Sequence, residues 1–276
     1  MSEDFAGKHV VVLGCGIAYT GLDDIGQAVA EHMAAAGAHV SFAQVNEADA
    51  QATVQRIHAA GGSATAYQND PREVNGVFDL ADAILTERPT VDALVTHYFG
   101  ADFSSVEELS IEDWERTIRV NLTGAFAATK AFLPGLRRGG DPAIVHTSSI
   151  DGSLGNVNVP SFSASKAGVN TLVHVLAGEL AAQGIRVNAI GRAASTVMPL
   201  KENVYQELNR ATPLARPADP AEYARAIAFL ASPQASYITG AVLAVDGGRT
   251  GLTPGCTPSY EGFGAGTRPS NAGYQL

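Results

Sequence analysis

Ser149, Lys166, Arg192 and Asn121 carry a hydroxyl, an ammonium, a guanidinium and an amide. Groups of these types can hold a substrate oxygen and stabilise charge developing on it, which suffices for isomerisation, elimination or cyclisation by positioning alone. Lys166 follows Phe162 by four residues, a step that places both on one helix face, aimed at one centre. His97 offers an imidazole that titrates near neutrality and Tyr98 a phenol, so either could move a proton. Arg192 is a fixed cation suited to anchoring a substrate. A second cluster is glycine-rich: Gly14 and Gly16 precede Asp24, Ile25 and Gly26, where a helical pattern begins. The free N–H groups of a helix N-terminus attract anions. The carboxylates of Asp23 and Asp24 oppose that attraction by roughly 3 kcal/mol per charge pair at an effective dielectric of about 20. Cys15 and Cys256 have neither a zinc spacing nor a disulfide framework and read as two free thiols, with no metal centre expected.

The elements that must position these groups alternate in type. Short β-branched or apolar runs predict strands over 10–13, 39–45, 64–68, 91–96, 143–148, 185–190 and 241–245. Between them, helical spacing predicts helices over 25–36, 47–60, 72–87, 111–136, 161–183 and 220–231. Ile25, Val29 and Met33 share a face of the first, and Ser110 with Asp113 forms an N-cap for the fourth. Strands joined by helix-length segments require crossovers, and hence a parallel sheet covered on both faces. The fold class expected is α/β: a single doubly wound domain over 1–250, with about seven parallel strands. Residues 251–276, rich in Gly, Pro, Ser and Tyr, read as a tail or lid.

Composition narrows the function classes. The 276 residues are 46% hydrophobic and 17% charged, with a net charge of −10, which excludes the basic footprint that nucleic acid or an anionic membrane requires. No signal peptide and no bilayer-length apolar run is evident, so a cytoplasmic protein acting on a small molecule is expected.

Several motifs in order resemble the short-chain dehydrogenase/reductase family over about residues 6–250. They are the Gly-rich turn after the first strand, Asn121-Leu122-Thr123-Gly124, Ser148-Ser149, Lys166, Arg186-Val187-Asn188-Ala189-Ile190, Ile238-Thr239-Gly240 and Val245-Asp246-Gly247-Gly248. The resemblance implies a Rossmann-like fold, NAD or NADP at the carboxyl ends of the strands, a homotetramer or homodimer, and an Asn-Ser-Tyr-Lys active site. It places Asn121, Ser149 and Lys166 in that site, with Asn121 at a kink in the long helix. Thirteen residues after Ser149 and four before Lys166, where the family has Tyr, stands Phe162. A benzyl ring cannot exchange a proton, and losing a general acid is worth about 10²–10⁴-fold in rate. The enoyl reductases' alternative, Tyr seven before Lys, is also absent, since that position is Val159.

The cofactor side departs too. Gly14 and Gly26 are twelve residues apart where the family's outer glycines are six apart, and Asp24 stands at the middle glycine. Gln44 occupies the position of an NAD-selecting Asp, and no Lys or Arg lies between His9 and Arg56 to meet an NADP 2′-phosphate. By the same alignment Asn69 lies on the adenine side, His97-Tyr98-Phe99-Gly100 replaces Asn-Asn-Ala-Gly, and Arg192-Ala193 replaces Pro-Gly. Thr196 and Met198 fall near the nicotinamide amide. The expected function is NAD(P)-linked oxidation or reduction of a carbonyl, hydroxyl or activated alkene, with His97, Tyr98 or water supplying the proton. The rivals are a non-redox isomerase, lyase or cyclase on this scaffold and a catalytically silent partner subunit.

Overall fold

The computed structural model describes residues 5–16, 24–196 and 201–251, with the side chains of 15, 16 and 24 left aside. Chain order is β1 (His9–Gly16), α1 (Asp24–Ala35), β2 (His39–Gln44), α2 (Glu47–Ala59), β3 (Ser63–Gln68), α3 (Gly76–Glu87) and β4 (Ala93–Phe99). Then come α4 (Ile111–Ile118), a π-helical segment (Arg119–Thr123), α5 (Gly124–Leu136), β5 (Ala143–Ser149), α6 (Asp151–Leu154) and α7 (Pro160–Leu180). The chain continues through β6 (Arg186–Arg192), α8 (Glu202–Arg210), α9 (Pro220–Ala231) and β7 (Val242–Val245).

All seven strands form one parallel sheet in the order β3-β2-β1-β4-β5-β6-β7. Strand periodicity sends alternate side chains to opposite faces. Val10 and Val12 pack with α1, α2 and α9, whereas Val11 and Leu13 pack with α3, α5 and α7. Each crossover between parallel partners is thus covered by apolar helix faces, as the doubly wound expectation requires. The order reverses between β1 and β4, and at such a switch point the loops part to leave a crevice above the strand ends.

Several boundaries differ from the sequence reading. The helix expected from 72 begins at Gly76, because Asp70 turns the chain first: its Oδ1 accepts the Arg72 N–H at 2.9 Å and its backbone oxygen the Glu73 N–H at 3.0 Å. β4 runs to Phe99, not Thr96, so His97 and Tyr98 belong to the strand rather than to its mouth. The helix over 111–136 is interrupted by the π-helical segment. α8 was not anticipated: its polar sequence buries no residue. Met198, Cys256 and nearly all of the expected 251–276 tail fall outside the described residues, as do most of the insertion after Gly16 and the Cys15 and Asp24 side chains. Among the described residues no helix is long and apolar enough to cross a membrane.

Candidate active site

The site begins where two strands separate. Pairing of β4 with β5 ends at Thr96 and His146, yet β4 stays paired with β1 through Phe99 and β5 with β6 through Ser149. The parted ends leave backbone carbonyls that need donors. Lys166, 1% exposed on α7, supplies them: its Nζ donates to Tyr98 O at 2.8 Å and to Thr147 O at 2.9 Å. The ammonium lies 5.7 Å from the centre of the Phe162 ring, one turn earlier on the same helix.

Asn121 closes the other side. Its Oδ1 accepts from Gly100 N at 2.8 Å, and its Nδ2 donates to Gly100 O at 2.8 Å and to Ser165 Oγ at 2.9 Å. Ser165 Oγ in turn donates to Phe162 O at 2.7 Å, so one chain of bonds ties the end of β4 to the α7 backbone that carries Phe162. The π-helical turn brings Asn121 to Gly100, where a Cβ would come within 3.2 Å of Val120. Asn, a poor residue for a helix interior, here satisfies backbone groups of another element.

The strand alternation of β4 distributes the sequence candidates. Tyr98 points to the α5 face, its ring against Gly124 and its hydroxyl accepting from Asn69 Nδ2 at 3.2 Å. It does not line the cavity described below. His97 is buried, at 2% exposure, and does not line it either. Phe99 does: its ring meets Phe162 edge-on, centroids 5.2 Å apart at 65°, and the Arg192 guanidinium carbon sits 4.7 Å over it.

Ser149 and Arg192 are register partners across β5 and β6, so both project at the same level. Ser149 Oγ accepts the Asp151 N–H at 3.1 Å and donates weakly to Arg192 O at 3.5 Å. These residues open on a cavity of about 180 Å³ lined by Phe99, Ser149, Asp151, Phe162, Arg192 and, from α8, Leu208. Arg249 reaches the same cavity. Burial pushes the Asp151 carboxyl above the usual carboxylate range, against the lowering influence of Asn156, Arg249, Arg192 and Ser149. Beneath the site His146 is wholly buried, with Nδ1 2.7 Å from Thr96 Oγ1, and desolvation, then the Lys166 charge, lowers it to about 4.

Phe99, Asp151, Leu208 and Arg249 were not singled out from sequence. Phe99 follows from strand alternation once β4 is known to reach it. Asp151, Leu208 and Arg249 carry no spacing rule, since a four-residue helix, the polar α8 and the turn after β7 bring them in.

The remaining candidates run along the strand ends toward β3. A Cβ on Gly14 would come within 3.2 Å of Gly26 Cα and of the Phe42 ring, so α1 starts hard against β1. Ile25 is core. Gly16 ends β1, and Asp24 opens α1. Gln44 closes β2, and its carbonyl accepts the Asn69 N–H at 2.8 Å. Gly14, Gln44, Asn69 and Gly100 lie at or near the carboxyl ends of β1, β2, β3 and β4, on both sides of the switch point where open α/β sheets bind ligands. Thr196 stands apart, exposed, its N–H donating to Ala218 O at 2.9 Å.

Residues 21–250 match the family model described as Enoyl-(acyl carrier protein) reductase. The chain is 38% identical over 256 residues to cis-4-hydroxycyclohexanecarboxylate dehydrogenase of Sinomonas cyclohexanicum, covering 91% of this chain and 100% of that protein. It is 37% identical to 3β-hydroxysteroid dehydrogenase 1 of Eggerthella lenta, covering 92% and 98%. Among solved structures, 7α-hydroxysteroid dehydrogenase complexed with NADH and 7-oxo glycochenodeoxycholic acid matches with a TM-score of 0.82 at 28% identity, over 90% of this chain and 97% of that one. Sheet order, motif order and these likenesses agree: the chain belongs to the short-chain dehydrogenase/reductase superfamily of enzymes.

Proposed function

We propose that this enzyme interconverts a secondary hydroxyl and a carbonyl on a compact, largely apolar small molecule, using a nicotinamide dinucleotide and no phenol at position 162. The observation that carries this reading is the shared cavity: Ser149, Phe162 and Arg192 line it together, and Lys166 stands directly behind Phe162. The relatives' names point the same way, since they specify alcohols on a cyclohexane ring and on a steroid.

When bound, the cofactor accepts or delivers hydride at the substrate carbon. Ser149 holds the substrate oxygen by its hydroxyl, within a wall formed by Phe99, Phe162 and Leu208. Apolar walls of this kind lower the local polarity, which strengthens polar contacts beside them. Lys166 fixes the parted ends of β4 and β5, and Asn121 fixes the loop that follows β4. Phe162 occupies the family's tyrosine position, so the proton has another route. Gln44 can accept from ribose hydroxyls, and Arg56, the first guanidinium after β2, is engaged by Glu31 and Gln27. Both features favour NAD over NADP. Ile111, Phe126 and Val175, exposed on α4, α5 and α7, suit burial in the homodimer or homotetramer that we also propose.

Fluorescence titration tests the reading. NADH is expected to bind at micromolar concentration and NADPH more weakly. Neither binding at millimolar concentration would overturn the redox reading in favour of non-redox chemistry in the same cavity.

A further inference from the structure

The oxidoreductase reading leaves a proton unassigned. Oxidising an alcohol releases one from the hydroxyl, and reducing a ketone consumes one. Of the described residues around the cavity, five carry exchangeable side-chain protons or can accept them: Ser149, Asp151, Asn156, Arg192 and Arg249. Arg stays protonated at any working pH, an amide does not titrate, and a serine hydroxyl alone is too weak an acid. Asp151 is the group left that can change charge.

Its placement suits the task. Asp151 opens α6 two residues beyond Ser149, and its backbone N–H fixes Ser149 Oγ at 3.1 Å. It lines the same cavity as Ser149, Asn156 and Arg192, and the Ser149 and Asn156 side chains favour its ionised form. α6 is held against α7 at Gly152, where a Cβ would stand 2.6 Å from the carbonyl carbon of Lys166. α6 therefore holds Asp151 beside Ser149 at the cavity wall. Resting on the oxidoreductase reading above, we infer that Asp151 is the proton-relay residue of this site, exchanging a proton with the substrate oxygen through Ser149 in place of the absent phenol.

The step balances. In oxidation the substrate O–H proton passes to Ser149 Oγ as the Ser149 proton passes to the Asp151 carboxylate. The substrate C–H bond breaks, its hydrogen leaving with both electrons as hydride to the cofactor, and the C=O double bond forms. Substrate is oxidised, cofactor is reduced, and Asp151 then loses its proton to water. Reduction runs the same steps backwards. Burial raises the carboxyl from its ordinary value, the direction that makes it a stronger base. The charged groups that face it are Arg192 from β6 and Arg249 beyond β7, both of which favour the ionised form. On α7, Lys166 directs its ammonium to the β4 and β5 carbonyls, and α8 contributes the apolar Val204 and Leu208.

The test compares wild type with Asp151→Asn, Asp151→Glu and Ser149→Ala, using cyclohexanol and NAD as probes. In the wild type, kcat for oxidation should rise with pH through one ionisation. Asp151→Asn should lower kcat about 100-fold and abolish that limb, leaving the NADH Kd within threefold, and Asp151→Glu should restore part of the rate and the limb. Independently of turnover, isotope-edited infrared spectroscopy of the cofactor-free protein should show an Asp carboxyl band titrating above the ordinary range. That band should be lost in Asp151→Asn and should titrate higher in Ser149→Ala. Asp151→Asn retaining kcat within threefold, or keeping the pH limb, would overturn the relay while leaving the oxidoreductase reading intact. If cyclohexanol is not turned over, the infrared titration decides: a midpoint unmoved in Ser149→Ala overturns the relay. Wild type binding neither NADH nor NADPH overturns both readings.

Discussion

Phe162 sets an apolar ring between a second aromatic ring and a buried ammonium. Its ring is 5% exposed, stacks edge-on with Phe99 and stands 5.7 Å from the Lys166 ammonium. A hydroxyl on this ring would add one polar atom to a cavity of about 180 Å³, beside a cation that favours the phenolate. Phe162→Tyr is therefore expected to raise kcat for alcohol oxidation about 10–100-fold and to add a second ionisation at higher pH. Steady-state rates across pH check this, and a gain below twofold with an unchanged profile would count against it. Ser149, Lys166 and Asn121 could be picked out in the sequence because fixed steps along one strand and two helices separate them from motif residues. Asp151 could not, because its place in the cavity comes from a four-residue helix whose direction no periodicity specifies. Tyr98 illustrates the converse: its phenol was an evident candidate, but once β4 extends to Phe99 the pleat turns that phenol to the face of Gly124 and Asn69.

At the scale of elements, α6 and α7 are joined by contact between backbones. Gly152 permits it, since a methyl there would meet the Lys166 carbonyl carbon at 2.6 Å and the Ala167 nitrogen at 2.8 Å. Neither atom can rotate away, so Gly152→Ala must push α6 off α7, costing about 1–3 kcal/mol and moving Asp151 from Ser149. Gly178 offers the control. It lies within α7 with no positive φ, and a methyl added there would meet nothing within 4 Å, so Gly178→Ala should stabilise by about 0.5–1 kcal/mol. Urea unfolding of both variants tests the pair, and equal effects of one sign would refute the contrast. The long elements were legible because they bury regular apolar stripes, such as Ile25, Val29 and Met33 on α1 or Val169, Val173 and Leu176 on α7. α8 was not, because the helix buries no residue, and its two apolar residues on the cavity, Val204 and Leu208, make no pattern. The π-helical turn was legible only as an Asn out of place. Its cause is a bond to Gly100, 21 residues away in sequence, which local propensity cannot register.

For the whole molecule, the parallel sheet that builds the site also buries histidines, and this fixes how acid acts on it. His146 lies at the centre of the sheet, where desolvation lowers it from 6.5 to about 4. His39, half-buried between β1 and β3, is likewise lowered to about 4 by desolvation and by Arg88, and His9 shifts in the same direction. A depressed folded value means that the unfolded chain binds the proton first. The stability is therefore fully present above about pH 6.5 and is lost as pH falls toward 4. For His146 the gap is worth about 3 kcal/mol across the whole window. Asp151 acts with the opposite sign: its folded value is raised, so protonation on acidification favours the native state, and it partly offsets the histidines. Carboxylates such as Glu222, held down to about 2 chiefly by Arg216, add their loss only below the ordinary carboxylate range. The histidines accordingly govern the window between pH 6.5 and 4.5. Replacing His146 by Asn removes the largest buried titration and keeps a polar group near Thr96 and Thr129. Whatever stability the variant loses at pH 7, its unfolding free energy should fall by roughly 2 kcal/mol less than wild type between pH 6.5 and 4.5. Urea denaturation at half-unit pH steps measures the two slopes. Parallel curves would mean that His146 is already protonated in the folded state, and the electrostatics assigned to the sheet beneath the active site would have to be revised with it.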